Sequence, residues 1–130
     1  MIDVRVQAAD FDPGRQLLRL EQLGNAAVAG FTAIAECREA GLSIEHHPAL
    51  AKNELGRIAA EAEARWPLAG LILIHRHGRI AAGDRLAFAA AAAPDRAAAL
   101  EACAFLVEAL ATRAPFWRKA PPAADAGRLP

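Results

Sequence analysis

Cysteine, serine and any imbalance of charge are scarce in this chain of 130 residues. Its two cysteines, Cys37 and Cys103, are far apart and match no metal or dithiol spacing, so they imply at most a reducing compartment. The only serine is Ser43, in a strand-like run, which excludes Ser-His-Asp catalysis. A Gly-x-Ser-x-Gly elbow and a glycine-rich phosphate loop are also missing. Fifteen basic residues balance fifteen acidic ones with no long run of either sign, whereas a nucleic-acid surface needs a basic stripe. Charges or turn residues interrupt every apolar run before membrane-spanning length, and the N-terminus lacks the layout of a secretion signal. These absences leave a soluble cytoplasmic protein as the expectation, engaging neither nucleic acid nor membrane.

What is present suits one α+β domain over residues 1–119, followed by a flexible Pro/Ala-rich tail over 120–130. Ile2 to Val6 alternates apolar and polar, the period of a half-buried strand. Asp12-Pro13 starts a short helix through Leu17, Leu20 and Leu23, and Gly24 ends it. Ala26–Ala35 and Leu42–His46 read as strands around a tight turn at Glu36–Gly41. A long helix over Pro48–Arg65 has Leu50, Leu55, Ile58 and Ala62 on its apolar stripe. Leu71–His75 is a continuous apolar strand, Gly78–Asp84 a hairpin connection, and Arg85–Ala92 the return strand. Alanine's helix preference argues against that last strand, and only its flanks argue for it. Pro94 opens a second long helix through Thr112, with Leu100, Cys103, Val107 and Leu110 as its buried stripe. Paired strands with helices between the pairs favour a mixed or antiparallel sheet over a doubly wound one.

The chemistry gathers near the end of that helix. Arg113-Ala-Pro-Phe-Trp-Arg-Lys119 sets two aromatics among three cations, which suits an anionic, partly aromatic ligand. A chain end pinned by a hydrophobic anchor is the plainer alternative. Arg96, in the first turn of the second long helix, opposes the helix dipole unless it helps the helix N-terminus hold an anion. His75 and His77 share a strand face, but no third metal ligand is evident in the sequence, so no metal is expected. Cys103 lies on an apolar helical stripe and reads as core.

Five stretches in order resemble the large (catalytic) subunit of molybdopterin synthase. They are Leu42-Ser-Ile-Glu-His-His-Pro-Ala-Leu50, Ala64-Arg-Trp-Pro-Leu68, Ile74-His-Arg-His-Gly78 with Gly83-Asp84, Asp95-Arg-Ala-Ala-Ala-Leu-Glu-Ala102, and Thr112-Arg-Ala-Pro-Phe-Trp-Arg-Lys119. The last is highly specific. The resemblance implies an α/β-hammerhead fold, a homodimer of large subunits, and heterotetramer assembly with a small ubiquitin-like sulfur-carrier subunit ending in Gly-Gly. It further implies sulfur transfer from the partner's thiocarboxylate to cyclic pyranopterin monophosphate, with no cofactor of its own. Carried onto this chain, the substrate-binding positions are Phe31, Arg96, Arg113, Phe116, Trp117 and Arg118, with Arg118 and Lys119 the remaining candidates for catalysis.

Four departures stand against that pattern. Ala111 occupies the position where the family carries a lysine, and a methyl group cannot hold charge or move a proton. The family's second lysine is Arg118 here, which grips phosphate but stays protonated. Asp95 precedes Arg96 where the family has histidine, and Glu36 replaces a basic residue. The same departures fit a catalytically silent paralogue that binds the small subunit or regulates an active synthase. A structural domain with an unrelated anionic ligand is the third reading.

Overall fold

A computed structural model describes residues 1–35, 42–44 and 48–113. The chain runs β1 (Ile2–Gln7), α1 (Pro13–Glu21), β2 (Ala27–Ile34), β3 (Leu42–Ile44), α2 (Pro48–Arg65), β4 (Gly70–Arg76), β5 (Gly78–Ile80), β6 (Arg85–Ala93) and α3 (Arg96–Arg113). The α+β architecture expected from the pattern is the one observed, with one short N-terminal helix and two of 18 residues.

Local chemistry explains the helix starts. Asp12 caps α1, its Oδ1 accepting from the Gly14 N–H at 2.9 Å and the Arg15 N–H at 3.3 Å, with Pro13 in the first turn. Past the end of α1, Gly24 has φ +83°, a left-handed conformation that side chains with a Cβ resist. Asp95 caps α3 likewise, Oδ1 accepting from the Ala98 N–H at 2.8 Å.

Four strands form a mixed sheet in the order β1-β4-β6-β2, parallel between β1 and β4 and antiparallel elsewhere. The hairpin expected between the fourth and last strands is present as β4–β6. Its connection, however, contains β5, which pairs with β3 in a separate two-stranded sheet. β2 and β3 therefore lie in different sheets. The tight turn predicted at Glu36–Gly41 and the tail over 120–130 fall outside the described residues.

Strand alternation divides the core in two. Ile72, Ile74, Phe88, Ala90 and Ala92 face α1, meeting Phe11 and Leu20. Leu71, Leu73, Ala87, Ala89 and Ala91 face α2 and α3, meeting Leu55, Ile58, Ala62, Leu106 and Leu110. β6 is covered on both faces and paired on both edges, and Ala89 to Ala93 are fully buried. Two ladders of backbone hydrogen bonds, with helices above and below, outweigh alanine's intrinsic preference for helix, and the small side chains let both helix layers approach.

The apolar stripes need correction. Leu50 is 65% exposed, and Ala51 takes the inward place beside Leu55 and Ile58. Leu100 is 56% exposed, while Ala99, Ala102, Cys103, Leu106 and Leu110 point inward. α3 is apolar almost all round, so periodicity alone did not select the face that meets the sheet.

The two long helices are locked together away from their sheet-facing sides. Trp66, just past α2, donates its indole N–H to Glu101 of α3 at 3.1 Å and lies against Phe105 with ring centroids 5.6 Å apart. The Arg65 guanidinium covers both rings, 4.6 and 4.9 Å from their centroids.

Candidate functional site

α3 positions three of the residues singled out from sequence: Arg96 opens it, Ala111 lies in its final turn, and Arg113 ends it. At roughly 1.5 Å of rise per residue, Arg96 stands about 22 Å from Ala111 and about 25 Å from Arg113. Within a single chain, Arg96 is therefore not brought to the other end of α3.

At the N-terminal end, the Asp95 carboxylate already holds the first-turn amide that a bound anion would use. Arg96 is exposed next to it. Phe31 lies on β2 opposite Ala89, on the sheet face that carries α3, and is 44% exposed. The Cys103 thiol points at the Ala89 carbonyl at 3.7 Å, so Phe31 is level with the middle of α3. Burial pushes the Cys103 thiol up, which suits a core residue and not a nucleophile.

The C-terminal end is built differently. Arg113 Nε donates to Glu54 Oε2 at 3.0 Å, Nη1 to Glu61 Oε1 at 2.9 Å, and Nη2 reaches Glu61 Oε2 at 2.8 Å. Glu54 also accepts from Arg57 at 2.6 Å. Glu54 and Glu61 lie off the apolar stripe of α2 and were not singled out from sequence; their seven-residue separation, two turns on one face of α2, was the available signal. Ala111 is exposed and points about 160° away from Arg113 around the helix axis. The intervening Thr112 returns its hydroxyl to the Glu108 carbonyl at 2.9 Å.

Phe116, Trp117, Arg118, Lys119 and Glu36 lie outside the described residues. His75 is fully buried, with Nδ1 2.8 Å from the Arg76 carbonyl, whereas His77 sits between β4 and β5, so the two do not share one strand. Among the described residues, no three His, Cys, Asp or Glu side chains gather as a metal site would require, and no helix is long and apolar enough to cross a membrane.

Two carboxylates titrate low. The Arg113 hydrogen bond holds Glu61 below the usual carboxylate range, its charge outweighing partial desolvation. Burial pushes Asp3 up, but the hydrogen bonds and charges of Arg5 and Arg19 more than reverse it. Both groups bind protons more weakly folded than unfolded, so they stabilise the fold above about pH 5 and lose that contribution as pH falls through their lowered folded values. The thermal midpoint is expected to fall steadily below about pH 5, and Glu61→Gln to flatten part of the slope. A midpoint unchanged down to about pH 3 contradicts this reading of the two carboxylates.

The fold and site define a three-layer α+β protein with a candidate anion-binding helix end and a second helix end leading into an aromatic-cationic motif. The family described as MoaE protein matches residues 6–113, and the chain belongs to it. The molybdopterin synthase catalytic subunit of Mesorhizobium japonicum is 46% identical over 122 residues, covering 89% of this chain and 76% of that one. A solved molybdopterin cofactor biosynthesis protein E from Burkholderia multivorans superposes with TM-score 0.82 at 34% identity, covering 93% and 85%. A solved complex of subunits 1 and 2 of molybdopterin-converting factor from Helicobacter pylori shares the fold, with TM-score 0.60 at 22% identity and coverage of 84% and 76%. Family membership places the chain in molybdenum cofactor biosynthesis, at the molybdopterin synthase step.

Proposed function

We propose that the chain is a cytoplasmic sulfur transferase that moves sulfur from a small partner's C-terminal Gly-Gly thiocarboxylate to cyclic pyranopterin monophosphate. The observation that carries this reading is the final turn of α3, which turns position 111 to solvent immediately before Thr112-Arg-Ala-Pro-Phe-Trp-Arg-Lys119. An extended Gly-Gly tail docks through backbone hydrogen bonds and a narrow groove, needs that the substitutions at 111, 95 and 36 leave largely intact. The two-subunit Helicobacter complex supports a small partner. Arg96 and Arg118 hold the substrate phosphate, while Phe31, Phe116 and Trp117 flank the pterin. Arg118 and Lys119 are the cations left to stabilise developing charge. The reaction needs no metal or organic cofactor from this chain.

The separation along α3 supports a homodimer. A gap of about 22 Å exceeds the reach of one pterin phosphate, and a second copy can bring its own Arg96 to the 111–119 end. β2 is an edge strand with Phe31 and Ile34 exposed, and exposed apolar side chains on an open edge suit pairing with another chain. Light scattering is expected to give a dimer at micromolar concentration, and a monomer throughout contradicts it.

The second reading, a silent paralogue that retains the small subunit, draws on Asp95 occupying the anion-binding amide and Ala111 offering only a methyl group. Both readings require the partner. Calorimetry with the cognate small subunit is expected to give a complex with Kd on the order of tens of micromolar or tighter. No heat and no co-elution at that concentration contradicts both.

A further inference from the structure

We propose that Arg113, Glu54 and Glu61 form an electrostatic latch that decides whether the last turn of α3, the turn carrying position 111, is folded against α2 or frayed. Its bearing on sulfur transfer rests on the proposed function, which places position 111 at the site.

The α2–α3 pair is fastened by different chemistry along its length. At one end the contact is aromatic, Trp66 against Phe105 with Arg65 covering both rings. In the middle, Leu55, Ile58 and Ala62 share one core with Leu106 and Leu110. Beyond Leu110 the burial stops. Ala111 and Thr112 are exposed, and the Thr112 hydroxyl returns to its own helix at Glu108. Among the described residues, Arg113 is thus the one side chain past Leu110 that bonds to another element. α2 holds all three of its guanidinium nitrogens, Nε and Nη2 through Glu54, Nη1 and Nη2 through Glu61. Arg57 takes the other oxygen of Glu54, so the four charges sum to zero.

The last carbonyls of a helix have no partners within it, and a helix end frays at almost no cost unless something outside holds it. Here that hold is ionic. Arg113 is 32% exposed and Glu61 46%, so the attraction is modest and is screened by salt. The Arg113 hydrogen bond, with a smaller contribution from the Arg65 charge, holds Glu61 below the usual carboxylate range. The latch therefore stays charged at neutral pH, where ionic strength is what opens it.

Backbone amide relaxation measured by NMR on the full chain, without partner or pterin, is the test. In the parent at low salt, the Ala111, Thr112 and Arg113 amides are expected to have order parameters of about 0.85, as in rigid backbone. Glu54→Gln/Glu61→Gln is expected to lower them below about 0.6, with the Leu71 to Ile74 amides of β4 unchanged. Salt at about 1 M, where the screening length falls to about 3 Å, is expected to move the parent toward the double variant. Arg113→Gln has no charge to screen and is expected to be frayed at both salt concentrations. A last turn that stays rigid in the double variant, or that ignores salt in the parent, overturns the latch. Loss of order that spreads to Leu71 and Ile74 also overturns it, because the change is then not local. A failed latch leaves the functional reading standing, and failed sulfur transfer leaves the latch standing.

Discussion

Converting Ala111 to Lys, Asp95 to His and Glu36 to Arg in one chain is expected to raise the rate of molybdopterin formation by about two orders of magnitude. A preorganised donor aimed at developing charge contributes roughly 10²–10³ in rate, and Ala111 supplies none. The new lysine has room, because position 111 is exposed in the last turn of α3, and a cation there also complements the helix dipole. Alone, Ala111→Lys is expected to give less than about tenfold, since such groups act as a unit and their effects do not add. Asp95 still holds the first-turn amide of α3, and position 36 still carries a negative charge in place of the family's positive one. Asp95→His removes a cap and costs about 1 kcal/mol of stability, while Ala111→Lys stays within about 0.5 kcal/mol of the parent. A triple variant that folds, binds the thiocarboxylated partner and yields no more molybdopterin than the parent contradicts this explanation of the lost groups.

Phe88→Ala is expected to destabilise the fold by about 3–5 kcal/mol, a large share of a typical domain's stability. Phe88 is 1% exposed on β6, packs against Phe11 at 5.7 Å between ring centroids, and closes the α1 side of the sheet with Leu20, Ile72 and Ile74. The surrounding alanines Ala90 and Ala92 have no atoms to move into the gap, so the cavity persists. Urea unfolding followed by circular dichroism is the check, with the midpoint falling and the slope preserved. A loss below about 1 kcal/mol shows that α1 collapses onto the sheet and that the core is not close-packed there.

Much of this fold was legible in the sequence because several elements carry independent local signals. Asp12-Pro13 writes a helix start in capping chemistry, and β4's unbroken apolar run marks a strand covered on both faces. Three features escaped for physical reasons. β5 is only three residues, Gly78-Arg-Ile80, too short for any period to register. α3 is so rich in alanine and leucine that its inward face is chosen by the sheet beneath it, which put Leu100 outside and Leu106 inside. The charges of Arg113 looked available to a ligand because its partners, Glu54 and Glu61, lie on another helix more than fifty residues earlier. For the site, residue types, the motif over 112–119 and the helix separating Arg96 from Ala111 were readable, whereas the pairing of Arg113 with Glu54 and Glu61 required knowing how α2 packs beside α3.

The direct test of sulfur transfer is a single-turnover reaction of the unmodified chain in excess over thiocarboxylated small subunit and cyclic pyranopterin monophosphate, with molybdopterin quantified over time. The expected result is slow product formation, proportional to the thiocarboxylate supplied and absent when the partner ends in an ordinary carboxylate. A stable complex with the thiocarboxylated partner that forms no molybdopterin contradicts it and leaves the silent paralogue as the reading of this chain.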